Sequence, residues 1–219
     1  MRIKRIGVVL AGCGVYDGAE IHEATLTLYF LDRAGADIVC TAPDILQHHV
    51  INHFTGTETS ETRNVLVEAS RIARGKITDL SKISANDLDG IILPGGFGAA
   101  KNLSTLAFSG SSPIINSDLA RLLNDLHSEG KPIGAICISP AVVALALKEK
   151  GVLLTIGDDK ETAASIEATG NRHQESKYSE IVVDSENKIV STSAYMCAQS
   201  IGEAGVGIEK LVQQVLSWS

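Results

Sequence analysis

Short runs of aliphatic and β-branched residues alternate along this chain with longer segments in which apolar residues recur at helical spacing. Ile6–Leu10, Asp37–Ala42, Gly90–Leu93 and Ile133–Ile136 are the clearest runs. Strands separated by helix-length segments return to one sheet through βαβ crossovers. The fold class is therefore α/β with a mostly parallel central sheet. The 219 residues, 44% of them hydrophobic, suffice for one such core, so residues 1–219 are expected to form a single domain.

Boundary signals fill in the order of elements. A helix over Ile21–Arg33 stops at Gly35, and a second is expected from about Thr62 to Arg74. Ser84 and Asp87 have capping-box spacing just before the strand at Gly90. A serine-rich connection, Ser104–Ser117, leads to a helix through His127; later come a helix over Pro140–Lys148, a strand near Leu153–Ile156 and a helix over Glu161–Ala168. Glu180–Val183 and Lys188–Thr192 read as a hairpin or two edge strands, followed by a helix over Ala198–Leu216. The polar stretches Thr55–Glu61 and Gly170–Ser179 read as insertions between structured segments.

Charge and cysteine usage exclude several classes. A formal net charge of −7 with no basic block removes the footprint of a nucleic-acid binder. Cys13, Cys40, Cys137 and Cys197 form no CxxC pair, which argues against a zinc site or a disulfide framework and leads to an expected cytoplasmic location. Leu10-Ala11-Gly12-Cys13 resembles a lipidation box, but the preceding apolar run is too short for a signal segment. The longest apolar stretch, Pro132–Leu147, is too short to span a bilayer, so no membrane partner is expected. His49 and His53 would suit a metal only on a helix, and Val50-Ile51 favours a strand or turn there, so no metal is expected.

Ligands of open parallel sheets sit at the carboxyl ends of strands. Three such positions stand out: Gly12-Cys13-Gly14, Pro94-Gly95-Gly96 and Cys137. Gly134-Ala135-Ile136-Cys137-Ile138-Ser139-Pro140 puts a thiol where a strand turns directly into a helix, the arrangement of a nucleophile elbow. A helix N-terminus favours thiolate over thiol, so Cys137 is expected to have a lowered pKa. Pro140 suits the first helical turn and leaves the Ile138 N–H free for an oxyanion. Glu23, or Glu20 one turn earlier, is the candidate acid or base.

The segments Gly12-Cys13-Gly14-Val15-Tyr16-Asp17-Gly18, Glu20-Ile21-His22-Glu23, Thr62-Arg63-Asn64-Val65 and Pro94-Gly95-Gly96-Phe97-Gly98-Ala99-Ala100-Lys101-Asn102-Leu103 occur in that order. Together they resemble the DJ-one/PfpI superfamily and, within it, the ElbB branch named for enhancing lycopene biosynthesis. The resemblance implies a flavodoxin-like three-layer sandwich, a homodimer, and Cys137 with Glu23 as catalytic pair. Gly95, Gly96, Ile138 and Asn102 are the expected oxyanion or substrate-binding positions. Ile138 stands where the peptidase branch has histidine, which argues against proteolysis. His173-Gln174-Glu175 superficially matches the His-x-Glu of amidotransferase relatives but lies in a polar loop. The simplest chemistry is attack by the Cys137 thiolate on glyoxal or methylglyoxal, proton transfer by Glu23 and release of a 2-hydroxy acid, a glyoxalase or lyase reaction with no cofactor. Redox sensing through Cys137 is the alternative, and an amidohydrolase or amidotransferase the second alternative. Cys13 reads as a packed or partly exposed free thiol, with a redox pair with Cys137 as the alternative; Arg63, with Arg71 and Arg74, could form an anion-attracting edge, although Arg71 and Arg74 more simply complement a helix C-terminus.

Overall fold

The computed structural model describes residues 2–108 and 113–219. Its strands are β1 (Arg5–Val9), β2 (Asp37–Ala42), β3 (Ile51–Asn52), β4 (Thr57–Glu58), β5 (Thr78–Asp79), β6 (Gly90–Leu93), β7 (Ile133–Ile136), β8 (Leu153–Leu154), β9 (Arg172–His173), β10 (Val182–Asp184) and β11 (Ile189–Thr192). Its α-helices are α1 (Ile21–Arg33), α2 (Val65–Ile72), α3 (Phe97–Lys101), α4 (Ser117–Ser128), α5 (Ser139–Ala146), α6 (Lys160–Glu167) and α7 (Ile201–Trp218). Seven strands form the central sheet in the order β10-β11-β7-β6-β1-β2-β5. All neighbours run parallel except β10 against β11.

The period of two along β1 divides the core. Ile6 and Val8 face the layer of α1, α2 and α7, with Leu31, Val65 and Ile208. Val9 faces the layer of α3, α4, α5 and α6, with Leu122, Val142 and Ile166. The result is the α/β three-layer sandwich expected, with the carboxyl ends of β1, β6 and β7 side by side.

Departures from the sequence reading have local causes. The second helix begins at Val65 because the Arg63 carbonyl accepts the Gln47 N–H (2.8 Å), which keeps that residue extended, and Asn64 caps the helix through the Val67 N–H. The Ser84–Asp87 capping box is present. The strand near Leu153 stops after two residues and pairs with β9 outside the central sheet, since the Thr155 N–H goes to Ser191 Oγ (2.8 Å) instead of a backbone ladder. β11 is an internal strand between β10 and β7. The serine-rich connection falls partly on 109–112, outside the described residues; α3, which precedes it, was not expected.

Candidate active site

β7 turns into α5 within two residues, and Cys137 at that corner has φ +61°. This conformation is sparse for a residue with a Cβ and persists only where neighbours hold it. The Cys137 N–H donates to the Thr192 carbonyl at the end of β11 (2.9 Å), and Ser139 Oγ donates to the Pro94 carbonyl (2.7 Å). Pro140 occupies the first turn of α5, as expected. The elbow is thus fixed from β11 on one side and β6 on the other.

Glu23 enters from the first turn of α1 and is 0% exposed, while Cys137 is 8% exposed. Glu23 Oε2 accepts the Gly95 N–H (2.9 Å), Oε1 accepts the Tyr195 N–H (3.3 Å), and the carboxyl faces the Cys137 thiol over Gly95. Glu20, the competing acid, is the N-cap of α1, and its Oε2 accepts the Glu23 N–H (2.7 Å). Its carboxylate serves the helix end and adds negative charge beside Glu23. Gly95 makes room for the pair: a Cβ there would lie 2.5 Å from Cys137 Cβ and 2.8 Å from Glu23 Oε2. Gly96, at φ +94°, brings the turn against α1, where a Cβ would overlap the backbone of Gly18, Ala19 and Glu20.

Burial and the Glu20 charge push the Glu23 carboxyl up to about 8. Glu23 therefore holds its proton through neutral pH. Burial and the Glu23 charge also push the Cys137 thiol up, while the Gly96 and Ile138 N–H groups aimed at its sulfur pull it down. The expectation that the helix terminus alone lowers the thiol is corrected here, because desolvation outweighs two N–H donors. With the proton on Glu23 the opposing charge is gone and the carboxyl can donate to sulfur. Thiolate formation at Cys137 is coupled to protonation of Glu23.

The other sequence candidates fall in different places. Asn102 is not available as a substrate ligand or as the cap of the next helix. It ends α3, its amide donates to the Ala11 and Asp17 carbonyls (both 2.9 Å), and its oxygen accepts the His48 N–H (3.0 Å). Asn102→Ala strands these three backbone groups and is expected to cost roughly 3 kcal/mol in urea unfolding. Arg63 is engaged by Glu61 (2.7 Å) and Glu68 (3.6 Å), which leaves its charge neutralised. Cys13 is half-buried near Asp17, Glu68, Arg63 and Arg71, and its thiol is raised, mainly by burial. His173 lies on β9 with Nε2 accepting the Ile156 N–H at 3.4 Å. Two residues were missed: Tyr195, and His22, whose Nδ1 is 2.8 Å from the Tyr195 hydroxyl. Tyr195 follows β11, so the rule that singled out Cys137, looking just past each strand's carboxyl end, would have found it.

The elbow thiol and acid sit within a chain whose residues 9–199 match the model of the DJ-1/PfpI family. The chain belongs to the DJ-1/PfpI family. It is 46% identical over 97% of its length to the Homo sapiens glutamine amidotransferase-like class 1 domain-containing protein 3, mitochondrial, of which it covers 82%. It is 35% identical to the Danio rerio ES1 protein, mitochondrial, with 87% of this chain and 76% of the relative covered. The crystal structure of an isoprenoid biosynthesis protein with amidotransferase-like domain from Ehrlichia chaffeensis superposes with a TM-score of 0.91 at 36% identity, covering 98% of this chain and all of that one. These relatives bear out the family resemblance and the flavodoxin-like fold. The mitochondrial names of the human, rat and zebrafish relatives overturn the expected cytoplasmic location. The cysteine spacing argues only against a disulfide framework; it is equally compatible with any reducing compartment and does not single out the cytoplasm.

Proposed function

We propose that this DJ-1/PfpI-family protein is a cofactor-independent enzyme acting on small reactive aldehydes, converting glyoxal or methylglyoxal to the corresponding 2-hydroxy acid. One observation carries the reading: a fully buried carboxyl stands against an elbow thiol, the two meeting over Gly95, and its burial raises the carboxyl to about 8. The Cys137 thiolate adds to one aldehyde carbon, and Glu23 gives its proton to the new alkoxide, forming a hemithioacetal. The resulting carboxylate takes the hydrogen from that carbon as a proton and returns it to the adjacent carbon, while the hydroxyl proton passes from the first oxygen to the second, leaving a hydroxyacyl thioester on Cys137. Water hydrolyses the thioester, so glyoxal plus water gives glycolic acid. A carboxyl that ionises near working pH serves both as donor and as acceptor. The Gly96 and Ile138 N–H groups that approach the sulfur are the candidate donors to the developing oxyanion. A homodimer is part of the proposal, and light scattering on the purified chain tests it.

An amidotransferase reading has less support. The turn after β11, adjacent to the elbow, carries Ser193, Ala194 and Tyr195, and His173 is bound to the backbone of Ile156. The deciding experiment measures glyoxal loss and glycolate formation by the purified protein beside Cys137→Ser, without glutathione or metal. Turnover by the wild type and none by the variant is expected. Absence of glycolate, or equal rates, overturns the enzyme reading; stoichiometric oxidation of Cys137 by peroxide would then favour redox sensing.

A further inference from the structure

We propose that Tyr195, anchored to His22, is a positioning residue for the Cys137–Glu23 pair: the phenol–imidazole bond holds the turn after β11 where the Tyr195 N–H reaches Glu23 Oε1. The inference builds on the reading of Cys137 and Glu23 as the working pair but does not depend on which aldehyde they process.

The turn needs holding. Ala194 has φ +39°, a conformation in which its Cβ crowds the backbone, and such a residue stays put only when its surroundings over-determine it. Within the segment the Met196 N–H donates to Ser193 O (2.9 Å) and the Ala198 N–H to Ala194 O (2.7 Å). Tyr195 adds two bonds across to α1. Its hydroxyl meets His22 Nδ1 at 2.8 Å and its N–H meets Glu23 Oε1 at 3.3 Å. His22 and Glu23 are consecutive in α1, so the side chain and backbone of one tyrosine grip neighbouring residues of one helical turn. The same segment reaches the elbow through the Thr192 carbonyl, which accepts the Cys137 N–H. A shift of this turn therefore moves a donor away from Glu23 while the thiol stays fixed from the β6 side.

The groups facing Glu23 are Glu20 from α1, Tyr195 from the turn, the Gly95 N–H from the end of β6 and Cys137 from the elbow; His22 reaches it only through Tyr195. The Tyr195 and Gly95 N–H groups favour the carboxylate of Glu23. Loosening the Tyr195 bond lets Glu23 keep its proton to higher pH, which removes the negative neighbour of Cys137 and leaves a donor to its sulfur. The thiolate then forms at lower pH.

The test is the pH profile of Cys137 alkylation by iodoacetamide, which reads the thiolate whether or not glyoxal is turned over. Tyr195→Phe is expected to move the midpoint about one unit to lower pH, about a tenfold faster reaction on the rising limb. His22→Ala alters an exposed residue, leaves the core untouched and should shift the profile the same way. In a Glu23→Gln background Tyr195→Phe should have no effect. A Tyr195→Phe profile that overlays the wild type, or a shift that persists without Glu23, overturns the proposal. A shift found in a protein that makes no glycolate would retain the positioning role and discard the glyoxalase reading.

Discussion

An alanine at Gly95 is expected to slow Cys137 alkylation, and any turnover that depends on it, by about 100-fold. The added methyl would sit 2.5 Å from Cys137 Cβ, 2.8 Å from Glu23 Oε2 and 3.0 Å from Cys137 Sγ. Ordinary carbon contacts lie near 3.5–4.0 Å, so about 1 Å of movement is required. Neither neighbour yields readily. Cys137 sits at φ +61° between ties to β11 and β6, and Glu23 is walled in on every side. The carboxyl and the sulfur must separate, and a misplacement of about 1 Å costs on the order of 10²-fold in rate. Overpacking adds about 1–3 kcal/mol of destabilisation, which urea unfolding measures separately. An alanine variant that reacts with iodoacetamide at the wild-type rate would show that the pair does not rely on this space.

The parts of the site that local chemistry specifies were legible in the sequence. A thiol between Ile133–Ile136 and Pro140 reads as an elbow because strand, corner and first helical turn lie within eight residues, and α1 ends at Arg33, just before Gly35, as that glycine indicates. What escaped was set by distant segments. Asn102 looks like a cap or a ligand from its neighbours, yet its partners Ala11, Asp17 and His48 come from elsewhere in the chain. A low thiol pKa inferred from the helix terminus alone leaves out burial, which is set where segments as distant as α1 and the turn carrying Tyr195, more than 170 residues beyond Glu23 in the numbering, meet around the acid. Extended backbone at Arg63 defeated helical spacing because Gln47 supplies it with a strand-like partner.

Protonation of Glu23 should also be visible as stability. Its ordinary value of 4.5 rises to about 8 in the folded chain, so the native state binds this proton more tightly than the unfolded state. The associated stabilisation is fully present below about pH 4.5 and is lost as pH rises through about 8, when an uncompensated charge must form inside the protein. A shift of this size corresponds to several kcal/mol. Glu23→Gln removes the titration while its amide oxygen can still accept the Gly95 N–H. Urea unfolding at pH 5.5, 7 and 8.5 should show the wild type weakening steadily and the variant much less, so that Glu23→Gln is the more stable protein at pH 8.5 by about 2–4 kcal/mol. Aldehyde turnover should move the other way and fall about 10²- to 10⁴-fold, because glutamine cannot carry the proton between carbons. The two readouts together separate a catalytic acid from a structural one: a buried carboxyl retained only for packing would lower stability when replaced. Parallel pH–stability curves for the two proteins would mean that Glu23 ionises in the ordinary carboxylate range, and the coupling between its proton and the Cys137 thiolate would have to be abandoned.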